Sequence, residues 1–126
     1  MTNSARILIV DDSTTVRLYY RKALEAKGFV VDEAENGVAG LERALSADFE
    51  MLLVDVNMPM MDGYEFVRLL RSPPNDYTVP IVMISSEPEA KDRRAAYHAG
   101  ANLYLVKPVK AQELAELVSL SVGRGA

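Results

Sequence analysis

Three carboxylates, one hydroxyl and one ammonium follow short apolar runs in this 126-residue chain: Asp11 and Asp12 after Ile7–Val10, Asp55 after Met51–Val54, Ser85 after Pro80–Ile84, and Lys107 after Leu103–Val106. Oxygen ligands of this kind suit a hard cation such as Mg²⁺, while an ammonium and a hydroxyl beside them can offset charge on a transferring phosphoryl group. Two carboxylates ~4 Å apart repel by about 4 kcal/mol at an effective dielectric of 20, so three gathered together need a bound cation or a raised pKa. Each residue alone also has an ordinary structural role. Asp11 and Asp12 precede Ser13-Thr14 and can cap a helix, and Asp55 can open a turn toward Pro59 and Asp62-Gly63. Ser85 can be a loop hydroxyl and Lys107 a solvated charge. Their coincidence at strand ends makes a single Mg²⁺-dependent phosphoryl-transfer site the better reading.

The elements that must position these groups are legible in the pattern. The apolar runs, with a further one at Phe29–Val31, are short and rich in β-branched residues. Those at Met51–Val54 and Pro80–Ile84 are continuous, as central parallel strands covered on both faces require. Between the runs lie segments of helical period. Val16, Tyr20, Ala23 and Leu24 mark the apolar face of a first helix stopped by Gly28, and Val38, Leu41 and Leu45 mark a second. Phe66, Val67 and Leu70 mark a third that ends before Pro73-Pro74. Pro88 to His98 gives a small-residue, charged fourth helix closed by Gly100, and Leu114, Leu117 and Val118 mark a fifth. Alternating strands and helices predict a single α/β domain with a parallel sheet and right-handed crossovers. In such sheets ligands bind beyond the carboxyl ends of the strands, where the acids, the hydroxyl and the lysine fall.

Composition bounds the rest. With 49% hydrophobic and 25% charged residues the chain has the makings of one packed domain, and no repeat or low-complexity tract interrupts it. The absence of cysteine excludes disulfides and thiolate metal sites. No apolar run approaches the ~20 residues of a membrane span, and the polar start, Met1 to Arg6, lacks the apolar stretch of a signal peptide. A cytoplasmic protein without membrane insertion is therefore expected. A net charge of −4 offers no basic footprint for direct nucleic-acid binding. Neither a Walker loop nor Gly-x-Gly-x-x-Gly is present, which argues against a nucleotide site.

Four motifs carry a family resemblance: Ile7-Leu8-Ile9-Val10-Asp11-Asp12; Asp55-Val56-Asn57-Met58-Pro59-Met60-Met61-Asp62-Gly63; Ile84-Ser85-Ser86; and Gly100-Ala101 leading to Lys107-Pro108. Together they resemble the CheY-like receiver domains of bacterial response regulators, over a core of about residues 6–120 within a single domain spanning 1–126. The resemblance, not the residue pattern, supplies the flavodoxin-like (βα)5 strand order 2-1-3-4-5. It implies that Asp55 accepts a phosphoryl group from a sensor histidine kinase or a histidine phosphotransfer protein. It implies Mg²⁺, with Mn²⁺ as a substitute, bound directly by Asp12, Asp55 and the backbone carbonyl of Asn57 and through water by Asp11. By the same resemblance Lys107 contacts the phosphoryl oxygens and precedes a cis proline, Ser85 is the switch hydroxyl, and Tyr104 is the aromatic that turns inward behind it. Asn57 and Glu87 stand where the family tunes phosphoryl lifetime, and their types imply a short-lived signal.

An output partner is expected on the face of the fourth helix, fifth strand and fifth helix, where Lys91, Arg93, Arg94 and Tyr104 fall, in chemotaxis or another phosphorelay. Leu117 stands where receivers of the winged-helix class carry an arginine, so a monomer or weak dimer is expected. Ser85 replaces the family's more frequent threonine, losing the methyl that restricts χ1. His98 is expected on the surface. The implied chemistry is that of a signalling phosphoacceptor limited to autophosphotransfer and autodephosphorylation, not of an enzyme. A phosphohydrolase of the haloacid dehalogenase type is the alternative, but it would need an acid two residues past its nucleophile, where Asn57 stands. A stand-alone receiver is the leading reading. The other is a receiver cut from a longer regulator, with Gly123-Arg124-Gly125-Ala126 opening a linker.

Overall fold

The structure, a computed structural model, describes residues 5–122. Both chain ends read from the sequence, the first residues of the polar start and the linker-like segment 123–126, lie outside the described residues. Strands β1 (Arg6–Val10), β2 (Val30–Ala34), β3 (Met51–Asp55), β4 (Ile81–Ser85) and β5 (Leu103–Val106) alternate with helices α1 (Thr14–Ala26), α2 (Gly37–Ser46), α3 (Gly63–Arg71), α4 (Ala90–Ala99) and α5 (Ala111–Ser121). All strand pairs are parallel and the order is 2-1-3-4-5, as expected from the resemblance.

The continuous apolar runs serve two cores because successive strand residues face opposite sides of the sheet. Leu8, Val10, Leu52, Val54, Ile81 and Met83 pack with Phe66, Val67 and Leu70 of α3 and Ala96 of α4. Ile7, Ile9, Leu53, Val82 and Ile84 pack with Tyr20 and Leu24 of α1 and Leu114 and Val118 of α5. The sheet is thereby covered on both faces, and its carboxyl edge is left for polar groups.

Several elements depart from the sequence reading. β2 was expected at Phe29–Val31 but runs through Asp32 and Glu33 to Ala34. As an edge strand it can carry carboxylates, and these pair with Arg6, Arg17 and Arg21. α2 turns a different face inward. Val38 and Leu45 are exposed and Leu41 half-buried, while Gly37, Gly40 and Ala44 are buried. The buried set has the same helical spacing displaced by one residue, and its small members let the helix lie close to the sheet: a Cβ on Gly40 would meet Val10 Cγ1 at 2.9 Å. Finally, β3 and β4 each run one residue further than read, so Asp55 and Ser85 are the last strand residues and not the first of a loop.

At the opposite edge Arg71 closes the fold. Its guanidinium donates to the carbonyls of Gly100 (2.9 Å), Tyr77 and Val79 (both 2.8 Å) and to Asn102 Oδ1 (2.8 Å). Gly100 caps α4 at φ 119°, and a Cβ there would stand 2.6 Å from Arg71 Cγ. Arg71→Met strands these acceptors and should cost about 2 kcal/mol in urea unfolding. Gly100→Ala should destabilise through both the left-handed backbone and the contact with Arg71.

Candidate functional site

Each site residue owes its place to a strand end. β1 delivers Asp11, which is buried, and Asp12, which is exposed. The capping role available to these acids is taken instead by Ser13, whose hydroxyl accepts from the Val16 N–H (3.2 Å). Asp11 Oδ1 accepts from the Ser13 N–H (2.9 Å), which steadies the turn. β3 ends on Asp55, only 6% exposed. Its backbone is clasped by α3, because Gly63 N–H donates to Val56 carbonyl (2.8 Å) and a Cβ at Gly63 would stand 2.6 Å from the Asp55 carbonyl. β5 brings Lys107, whose ammonium donates to Asp55 Oδ1 at 3.1 Å and lies 3.9 Å from Asp11 Oδ2. The Lys107–Pro108 bond is cis, as the resemblance implies.

Oxygen atoms of Asp11, Asp12 and Asp55 lie within 4.8 Å of one another. The electrostatic cost is visible in the acids themselves. Burial, then the nearby Asp11, pushes the Asp55 carboxyl up to about 6 against the pull of Lys107. Burial also raises Asp11, opposed by the Ser13 N–H and Lys107. An all-oxygen donor set in which Asp11 and Asp55 resist ionisation suits a hard divalent cation, Mg²⁺ or Mn²⁺, better than a softer metal.

The remaining expected residues surround this cluster. Ser85 is fully buried, and its Oγ accepts from the Glu87 N–H (3.0 Å). Tyr104 is also buried, with its hydroxyl donating to the Glu87 carbonyl (2.7 Å). Both backbone polar groups of Glu87 are thus engaged from beneath, whereas its side chain and that of Asn57 face outward. The Tyr104 ring is therefore inward in this structure and lies under, not on, the face of α4, β5 and α5. Arg93 covers it, with its guanidinium carbon 5.3 Å from the ring centroid and an N–H donated to the Tyr104 carbonyl (3.3 Å). Lys91 pairs with Glu89 at the surface, Arg94 is exposed, and so is His98. Sequence reasoning missed Arg17, Glu33 and Arg71. The charged pair Asp32-Glu33 prolonging an apolar run is the one signal that pointed toward Glu33.

The comparisons with known proteins agree with this geometry. The family model described as the response regulator receiver domain matches residues 7–119. The transcriptional regulatory protein ResD of Bacillus subtilis is 35% identical over 90% of this chain and 46% of its own length. The chain spans about half the length of that and other curated relatives. Among solved structures, the chemotaxis response regulator CheY4 of Vibrio cholerae superimposes with a TM-score of 0.86 at 32% identity, covering 94% of this chain and 99% of that one. The receiver domain of sensor histidine kinase PA1611 from Pseudomonas aeruginosa, solved with a magnesium ion in its active site cleft, has a TM-score of 0.85 at 28% identity over 96% of this chain and 99% of that one. Among the described residues no helix is long and apolar enough to cross a membrane. With its strand order, its acids at the carboxyl edge and a family match across nearly all its length, the chain belongs to the response regulator receiver domains of two-component signalling.

Proposed function

We propose that Asp55 takes a phosphoryl group from a phosphohistidine of a sensor kinase or histidine phosphotransfer protein. The observation that carries this reading is the buried Asp55 carboxylate, paired with Lys107 at 3.1 Å beside two further acids. One Asp55 oxygen attacks phosphorus, the P–N bond breaks, and the imidazole leaves with the electron pair, giving an acyl phosphate. Lys107 offsets charge on the phosphoryl oxygens, and Ser85 turns its proton toward them. Asp12, Asp55 and the Asn57 carbonyl would hold Mg²⁺ directly and Asp11 through water, supplying positive charge where the phosphoryl oxygens gather. Water later cleaves the acyl phosphate and regenerates Asp55, with the outward side chains of Asn57 and Glu87 flanking its approach. A groove of about 590 Å³, lined by Val16, Tyr19, Pro108 and Val109 and reaching Lys107, offers a donor protein a largely apolar resting place next to that lysine. Signal output is read from the face of α4, β5 and α5. A cytoplasmic location and a monomeric or weakly dimeric state belong to the same reading.

The test is incubation with a small acyl phosphate, with and without Mg²⁺. The protein should gain one phosphoryl group only with the metal and lose it again on standing. Sustained release of phosphate from small phosphate monoesters would instead favour the phosphohydrolase reading. Mg²⁺ alone should stabilise the fold by about 2.7 kcal/mol at a hundredfold excess over its Kd. Asp12→Asn should abolish that gain while raising the melting temperature of the metal-free protein, since it removes one of three crowded charges.

A further inference from the structure

The acid turn after β1 is tied down by a group that is neither ligand nor phosphate contact. Arg17, one helical turn into α1, donates from one terminal nitrogen to the Asp11 carbonyl and from Nε to Glu33 Oε1 at 2.8 Å. Its other terminal nitrogen reaches Thr14 Oγ1 (3.3 Å). The Arg17 side chain is only 12% exposed, and Glu33 is itself held on its second oxygen by Arg21. On the other side of the turn the Asp11 N–H donates to the Ala34 carbonyl (3.1 Å), also on β2.

We propose that Arg17, steered by Glu33, is a positioning residue for the divalent cation. The proposal rests on the reading of Asp11 and Asp12 as cation-holding acids. The Asp11 carbonyl belongs to the planar peptide unit joining Asp11 to Asp12, so fixing its oxygen fixes the direction in which Asp12 leaves the backbone. Asp12 is exposed and has little packing of its own to hold it. The fork geometry of a guanidinium lets one side chain grip the carbonyl and the Glu33 carboxylate together, which an ammonium cannot do. The edge strand β2 thereby becomes the anchor of the acid turn, through Glu33 and the Ala34 carbonyl.

Charge and geometry make opposite predictions, which gives the test a sign. Judged by charge alone, Arg17 repels a nearby cation, so Arg17→Met should tighten Mg²⁺ binding. As a positioning residue its loss should weaken binding, by about tenfold on the scale of groups that orient metal ligands. Arg17→Lys keeps the charge and loses the fork, and should weaken binding similarly. Glu33→Gln leaves Arg17 in place with a poorer anchor, and should shift affinity the same way by less. The experiment is a Mg²⁺ titration of the parent and the three variants, followed both by melting temperature and by the amide NMR signals of Asp12 and Ser13. Cooperative melting in chelator establishes that each variant is folded. If Arg17→Met fails to fold, Arg17→Lys and Glu33→Gln decide. The expected result is weaker Mg²⁺ binding, displaced Asp12 and Ser13 amides before metal is added, and phosphoryl uptake restored at saturating Mg²⁺. Unchanged or tighter binding in the folded variants overturns the proposal while leaving the phosphoacceptor reading intact. A parent protein with no Mg²⁺ response would overturn both.

Discussion

Asp55→Asn should abolish phosphoryl uptake and, in chelator, raise the melting temperature by roughly 8 °C at pH 7. The first effect follows from chemistry: an amide oxygen carries no full negative charge to attack phosphorus, and no other acid in the cluster is paired with Lys107 as closely. The second follows from the environment that makes Asp55 useful. Its carboxyl ionises near 6 in the folded protein against 3.8 for the free group, with burial and Asp11 as the causes. A proton is therefore bound more tightly in the folded state than in the unfolded chain. Stability from this group is complete below about pH 4, falls as pH rises toward 6, and is absent above it. Each pH unit of the difference is worth about 1.4 kcal/mol, and screening at the rim of the site brings the expected gain from Asp55→Asn to about 2 kcal/mol. Melting curves of both proteins in chelator from pH 4 to pH 8 check this. The parent should fall away from the variant across that window, and parallel curves would show that the acid is not strained.

The second large effect is expected at the switch. Ser85→Ala should still be phosphorylated but should lose about tenfold to a hundredfold of the gain in partner affinity that phosphorylation brings. A hydroxyl offers one donor and two acceptor sites, and in this structure Ser85 accepts from the Glu87 N–H, which leaves its proton to give. A bond from that proton to a charged phosphoryl oxygen is worth roughly 1.5–3 kcal/mol, and only a contact made in one state and not the other shifts the equilibrium between them. The resemblance alone implies a tyrosine that moves inward on activation. Here Tyr104 is already inward, joined to Ser85 through the backbone of Glu87 and covered by Arg93. The change to look for is therefore in the turn around Glu87. Affinity for the output partner, measured with and without a beryllofluoride adduct on Asp55, decides the matter. An undiminished gain in Ser85→Ala would remove Ser85 from the switch.

What could be read in the sequence, and what could not, divides along the distance between partners. The strands and the acids at their ends were legible because each depends on a few adjacent residues: an apolar run, then a polar group. The inward face of α2 was not, because Val38 and Leu45 outrank Gly37 and Gly40 in hydrophobicity, and only the proximity of Val10 reveals that the helix needs small residues there. β2 was read too short because the partners of its acids lie elsewhere in the chain, Arg6 of β1 for Asp32 and Arg17 and Arg21 of α1 for Glu33. Arg71 was invisible for the same reason, since Tyr77, Val79, Gly100 and Asn102 converge on it only after folding. The resemblance names Tyr104 beside Ser85, but the position of Tyr104 under Arg93 belongs to this chain's own α4.

The central claim is that Asp55 carries the phosphoryl group, and chemical trapping tests it most directly. The protein is treated with a small acyl phosphate and Mg²⁺, then reduced with borohydride, which converts an aspartyl phosphate to homoserine, and the peptide containing β3 is sequenced. Homoserine at position 55, dependent on both the phosphodonor and Mg²⁺, is the predicted result. Homoserine at position 11 or 12, or a phosphoryl group recovered on His98 or on a hydroxyl, would contradict it.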